Sequence, residues 1–205
     1  MINEQFQYQC VEYQTHQFDL EDADIEYRPE FLELDNANGL FELLLKEIEW
    51  KQERITLYGK THNVPRLSCW MGESDLIYGY SNMTMQIVNW SKSVLGLKKK
   101  LEAETKHSFN SVLINYYRDG QDSNGWHSDD EPELGINPII ASISLGSARD
   151  FHLRHKTKKQ LKQSISLKHG SLLTMKGTTQ HFWQHHIPKR AKAEPRINLT
   201  FRTVK

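Results

Sequence analysis

A chain of 205 residues, a quarter of them charged and with no net charge, suits one domain with length enough to enclose a full core. Its two cysteines, Cys10 and Cys69, exclude a disulfide framework and a cysteine-based zinc site, and no apolar run approaches membrane-spanning length. Charge is unevenly spread: residues 1–50 hold thirteen acids against two bases, Arg28 and Lys46, and the remainder holds thirteen acids against 24 bases. A basic body suits a polyanionic partner, although a solvated surface explains the charge equally well.

The low cysteine count fits a reducing compartment. The opening MINEQFQYQC has neither the basic nor the apolar region of a signal peptide. A soluble, intracellular monomer is expected, cytoplasmic or, in a nucleated cell, nuclear, with no membrane role. The organisation expected is one domain over 1–205. An acidic N-terminal extension and first helix fill 1–60; substrate-lid strands, a second helix and a jelly-roll core fill 61–205.

Residues 1–35 form an irregular acidic lead-in with one or two short strands, and EDADIEY, lacking a helical stripe, is assigned to the surface. From Asn36 to Trp50, Leu40, Leu43, Leu44 and Ile48 recur at helical spacing, with Asn38 available as a cap. ERITLYG and PRLSCWMG follow as strands. A second helix is expected from Met85 to Glu104, with Ile87, Trp90, Val94, Leu97 and Leu101 on one face. Both helices should pack outside a sheet. From Phe109 onward SVLINYY, PIIASISLG, ARDFHLRH, QSISLKHG, SLLTMKG and RINLTFRTV are short strands between turn residues. The basic stretch Arg154–Gln163 tops a hairpin. The pattern predicts a mainly β, α+β domain: a double-stranded β-helix, or jelly roll, with supporting N-terminal helices.

Within LINYYRDGQDSNGWHSDDE, Leu113 to Glu131, lies His127-Ser128-Asp129. Side chains at i and i+2 of an extended chain share a face, so an imidazole and a carboxylate can grip one metal ion. A second histidine from elsewhere would complete a 2-His-1-carboxylate face, which on iron(II) leaves positions open for a bidentate cosubstrate and dioxygen. Alone, H-x-D arises often by chance. In RINLTFR, alternation puts Arg196, Asn198, Thr200 and Arg202 on one face and Ile197, Leu199 and Phe201 on the other. Buried arginines need anions or acceptors, although an edge strand with one solvated face explains this strand taken alone. At about 3.3 Å per residue their Cα atoms lie roughly 20 Å apart, so two long side chains leaning inward can take opposite ends of a small dicarboxylate. The distal histidine belongs to the cluster His181, His185 and His186, among which strand geometry alone does not choose.

Asn115-x-Tyr117, His127-x-Asp129, W-x-H-x-x-P at Trp183–Pro188 and R-x-N-x-x-x-R at Arg196–Arg202 together resemble the motif order of the AlkB family of iron(II)/2-oxoglutarate-dependent dioxygenases. The resemblance runs from about Pro65 to Val204. It is strongest toward a homologue that favours single-stranded nucleic acid, through PRLSCW, FNS, WHSDDEP, PIIASIS, WQH and EPRINLTFRTV. It implies Fe(II) held by His127, Asp129 and His185. It implies 2-oxoglutarate bound by Arg196 at its distal carboxylate and Arg202 near its 1-carboxylate, with Asn115, Tyr117 and Asn198 bonding the same cosubstrate. Asp130 would contact the exocyclic amine of a damaged base, Tyr80 would stack on that base, and His127 would close its other face. Glu131 is a further pocket candidate, or simply a turn acid before Pro132.

Three features depart from the family pattern. Met71 stands where an aromatic pocket wall is expected, the N-terminal part has no counterpart, and the 154–163 hairpin is shorter and more basic. His152, His155, His169, His181 and His186 match no ligand position and are assigned to the surface or to the neighbourhood of the site. The implied activity is oxidative dealkylation of N-alkylated bases such as 1-methyladenine and 3-methylcytosine in DNA or RNA, single strands preferred, releasing formaldehyde, succinate and CO2. Lys156, Lys158, Lys159 and Lys162 would contact phosphates. The alternatives are a 2-oxoglutarate-dependent hydroxylase or demethylase acting on a protein or small molecule, and a binding module that has lost catalysis.

Overall fold

The computed structural model describes residues 14–205 apart from 58, 75, 77, 78, 81, 82 and 85, with backbone alone at 57, 79, 80, 83 and 84. Strands β1 (His16–Phe18) and β2 (Asp24–Arg28) precede helix α1 (Leu34–Glu47). Then come β3 (Arg54–Leu57), β4 (Lys60–Asn63), β5 (Leu67–Gly72), β6 (Gly79–Tyr80), β7 (Met83–Thr84), β8 (Ile87–Val88) and α2 (Lys92–Thr105). The β body follows: β9 (Ser111–Tyr117), β10 (Asn124–His127), β11 (Ile140–Gly146), β12 (Arg149–His155), β13 (Lys162–Leu167) and β14 (Ser171–Lys176). A short α3 (Thr179–Phe182), β15 (Trp183–Ile187) and β16 (Arg196–Arg202) complete it.

Eight strands form one sheet in the order β1-β2-β14-β11-β16-β9-β5-β8, antiparallel but for the β5–β8 pair. Four more, β10-β15-β12-β13, form a second sheet. The large sheet is buried on both faces, and alternation sorts its side chains into two clusters. On one face Ile197, Leu199 and Phe201 of β16 pack with Ala141, Ile143 and Leu145 of β11 against Leu40 and Leu44 of α1 and Val94, Leu97 and Leu101 of α2. On the other, Leu113, Ile140, Leu173 and Met175 meet Phe151, Leu153, Ile165 and Leu167 of the small sheet. The expected jelly roll with helices outside is present. Among the described residues no helix is long and apolar enough to cross a membrane.

Some expectations are corrected. EDADIEY is not merely surface: β2 joins the large sheet beside β14, and Ile25 and Tyr27 are buried between half-buried polar neighbours. Helix α1 starts earlier than expected, with Glu33 and not Asn38 at its N-cap; the Asn38 amide oxygen instead lies 3.1 Å from His169 Nε2. Helix α2 starts at Lys92, not Met85. Ser91 caps it by accepting the Val94 N–H at 3.3 Å, while Ile87 pairs in β8 along the edge of β5. Ile87 and Trp90 fit the helical stripe by spacing, but the cap residue ends that stripe. Lys106, in left-handed backbone at φ 54°, closes the helix.

The Arg154–Gln163 stretch is indeed a hairpin connection between β12 and β13. His155 within it is buried and not on the surface; its Nε2 is 3.3 Å from Asp22 Oδ2. Gly146, at φ +84°, turns the chain out of β11, and a side chain there would strike the Pro195 carbonyl.

Candidate metal and cosubstrate site

The site forms where the small sheet faces the polar side of β16. β10 and β15 run antiparallel in a register that sets His127 opposite His185. Directly opposed residues share a face with Cβ atoms about 5 Å apart, and the two imidazole centroids lie 4.2 Å apart. The same alternation turns His186 to the other face of the small sheet, where it stacks on Trp126 at 3.8 Å. His181 sits in α3 with its Nε2 3.0 Å from Asn137 Oδ1. Register therefore selects His185 among the three candidates.

Asp129 lies just past the end of β10, where the chain bends. Its backbone N–H donates to Gln180 Oε1 at 2.9 Å, and Ser128 Oγ donates to the Trp183 carbonyl at 2.9 Å. These bonds anchor the segment to α3 and β15. One ligand atom from each of His127, Asp129 and His185 lies within 4.8 Å of the others.

The electrostatics prepare these groups for a cation. Burial alone would raise the Asp129 carboxyl, but Arg202, His185 and His127 hold it at about 2. Burial, reinforced by His127, pushes His185 down to about 3. Burial also lowers His127, against the pull of Asp129. Both rings are thus neutral near pH 7, the form that ligates metal. His127 Nδ1 lies 2.8 Å from the Gly125 carbonyl; a proton there, donated to that oxygen, leaves Nε2 with its lone pair.

The β16 arginines differ in their partners. Arg202 Nη2 donates to Asp129 Oδ1 at 2.8 Å, tying the large sheet to the segment that carries the carboxylate. Arg196 Nη2 donates to Ser144 Oγ at 2.9 Å, while its Nε and Nη1 are buried with no hydrogen-bond partner among the described residues. Burial drives this guanidinium down to about 10, partly offset by Tyr117, whose ring centroid lies 5.1 Å away. A buried cation with unsatisfied donors is a receptor for an anion.

Asn198, between the arginines, donates through Nδ2 to Ser142 Oγ at 2.8 Å and accepts the Thr200 hydroxyl at 3.0 Å. Asn115 Oδ1 accepts Arg66 Nε at 2.7 Å. Asn115, Tyr117, Asn198 and both arginines line one cavity with His127, Asp129 and His185.

Asp130 follows the cavity-lining Asp129 in the chain, and its Oδ2 accepts Lys156 Nζ at 2.8 Å. Glu131 precedes a single 3-10 turn, Pro132–Leu134. The Tyr80 backbone lies in β6, paired with Met83, but its side chain lies outside the described residues. Met71, which stands where the resemblance expects an aromatic, belongs to the core cluster of Val112 and Leu97 on the helix side of the large sheet. Two of the four hairpin lysines bind acids of the protein itself, Lys156 that of Asp130 and Lys158 those of Glu21 and Asp22.

Arg66, Gln180 and the Lys156–Asp130 pair were missed from sequence. Their contacts span 49, 51 and 26 residues, and no local pattern announces them.

Comparison with known proteins agrees with this geometry. A model of the 2OG-Fe(II) oxygenase superfamily matches residues 24–202. DNA oxidative demethylase ALKBH2 of Homo sapiens is 38% identical over 179 residues, 82% of this chain and 69% of that protein. The chain belongs to the AlkB family of 2OG-Fe(II) oxygenases. Among its relatives, alpha-ketoglutarate-dependent dioxygenase alkB homolog 3 of Bos taurus is 46% identical over 186 residues, covering 86% of this oxygenase and 64% of that protein. The chain thus spans a little under two thirds of that relative's length. The structure of OsALKBH1 superposes with a TM-score of 0.61 at 17% identity, covering 87% of this chain and 96% of that one, a likeness of fold.

The metal and cosubstrate of the superfamily are Fe(II) and 2-oxoglutarate, and this oxygenase has the donors for both. Two neutral imidazoles and a carboxylate converge within one ion's reach, and a buried arginine with unmatched donors stands in the same cavity.

Proposed function

We propose that this oxygenase removes small N-alkyl groups from nucleobases in single-stranded DNA or RNA, consuming 2-oxoglutarate and dioxygen and releasing formaldehyde, succinate and CO2. The observation that carries the reading is the convergence of His127, Asp129 and His185 in the cavity that also holds the unmatched donors of Arg196. The similarity to proteins named DNA oxidative demethylase supports the substrate class. In this reading the three ligating side chains hold Fe(II), which with 2-oxoglutarate and dioxygen supplies the oxidant for an N-methyl C–H bond.

The remaining groups bind, orient and exclude water. Arg196 takes the distal carboxylate of 2-oxoglutarate, with Tyr117 against its guanidinium. Arg202 keeps Asp129 ionised and aimed, and lies beside the 1-carboxylate. Asn115, fixed by Arg66, and Asn198, fixed by Ser142, complete the cosubstrate's cradle. Asp130 accepts the exocyclic amine of a base whose methylation makes it cationic, and Tyr80 stacks on it. Such a base pairs poorly, so extracting it costs little. A reducing compartment suits both ferrous iron and the free thiol of Cys69, in keeping with an intracellular monomer.

Formaldehyde release from methylated single-stranded and duplex DNA and RNA, measured side by side, tests the proposal. Turnover should be greatest on single strands carrying 1-methyladenine or 3-methylcytosine. Release from a peptide or small molecule, with none from any oligonucleotide, would leave an oxygenase of another substrate class.

A further inference from the structure

We propose that Lys156 is a positioning residue for lesion recognition, acting through Asp130 and not through the phosphate backbone. This rests on the reading of Asp130 as the acceptor for the damaged base. Lys156 lies just past β12 at the start of the basic hairpin turn, where a solvated lysine would be expected. Instead its ammonium group donates to Asp130 Oδ2 at 2.8 Å and to the Gln180 carbonyl at 2.9 Å, and only about a quarter of the side chain is exposed.

The second bond fixes the direction of the first. Gln180 is itself buried, and its side-chain oxygen receives the Asp129 N–H. One residue of α3 thus seats the metal-binding carboxylate through its amide and the neighbouring carboxylate through its carbonyl, with Lys156 as the link. A carboxylate on a short loop can turn freely about its side-chain torsions. Occupying Oδ2 restricts that rotation and leaves Oδ1 as the acceptor for an exocyclic amine. The proposed role of Lys156 is therefore to preorganise recognition, which lowers the ordering cost of binding the modified base.

Binding of labelled single-stranded oligonucleotides, with and without one 1-methyladenine, separates the two roles of a lysine. Lys156→Met should lower the preference for the methylated strand by about tenfold, the loss of one charged hydrogen bond, with little change on the unmodified strand. Lys156→Arg should restore most of the preference. In turnover, the loss should fall on KM for the methylated strand before kcat. In an Asp130→Asn background Lys156→Met should cause no further loss, because the residue it positions is already altered. Equal weakening on both strands, with a shallower salt dependence, would make Lys156 a phosphate contact and overturn the proposal. So would an undiminished Lys156→Met loss in the Asp130→Asn background. If Asp130→Asn costs discrimination and Lys156→Met does not, this inference alone fails. Full discrimination by Asp130→Asn overturns the reading of Asp130, and the role of Lys156 with it.

Discussion

His185 and His186 are sequence neighbours with different ring partners, one set against the His127 imidazole and the other stacked on Trp126. His185→Ala should therefore abolish iron binding and turnover, while His181→Ala and His186→Ala retain both, as iron content after reconstitution will show. Iron lost from His181→Ala but kept by His185→Ala would contradict the register. The arginines separate in the same way. Arg196→Ala should raise the 2-oxoglutarate requirement by an order of magnitude or more, because a buried anion loses its charged partner. Arg202→Lys keeps the charge but loses the planar fork, and should raise that requirement too. Arg202→Ala should in addition destabilise the fold by about 3–5 kcal/mol by leaving Asp129 without its buried cation; a denaturation midpoint unchanged from wild type would show that the pair carries no structural weight. The ligand motif and both arginines could be read from sequence because each sits in a short pattern with strand period. Arg66 and Gln180 could not, since each acts on a residue about fifty positions away.

At the level of elements, period 2 proved a better guide than composition. Alternation in RINLTFR anticipated which side chains of β16 face the cavity and which face the helices. The same alternation runs through Asp24–Arg28, where Ile25 and Tyr27 are core although four of the seven residues of EDADIEY are acids. Ile87 and Trp90 extend the α2 stripe by spacing alone; the capping hydroxyl of Ser91 is what sets the boundary. Because β16 is two-sided, its faces should respond separately to substitution. Leu199→Ala, fully buried on the helix side, should cost about 2–5 kcal/mol of stability and leave 2-oxoglutarate affinity near wild type, measured by denaturant titration and by cosubstrate binding. A large change in cosubstrate affinity with little loss of stability would reverse the assignment of faces.

Over the whole molecule, the charge asymmetry of the sequence becomes an internal clasp. Glu21 and Asp22 of the acidic lead-in reach Lys158 at 2.6 and 3.1 Å, and the Glu21 carbonyl accepts the Trp183 indole N–H. Charge counting assigned the hairpin lysines to phosphates because it cannot see which of them the chain itself engages. Exposed pairs of this kind are worth at most about 1 kcal/mol, so the clasp can yield to a polyanion. Replacing Glu21 with Gln and Asp22 with Asn should tighten binding of an unmodified single strand. It should also steepen the dependence of log affinity on log salt by about one unit, one further phosphate contact. An unchanged slope would show that Lys158 takes no part.

The two-faced β16 also bears on how such an enzyme can change. Every residue of that strand is buried, so a substitution there disturbs either the packing under the helices or the grip on the cosubstrate. Substitution is less constrained at Asp130 and in the turn between β12 and β13, where Asp130 and Lys156 sit partly in solvent. On the proposed function, reactivity is thus set by the frame, and preference among modified bases would rest on these two short connections. Relatives sharing this frame should diverge in the bases they accept by exchanging these connections, and a graft of both together should carry the preference with it.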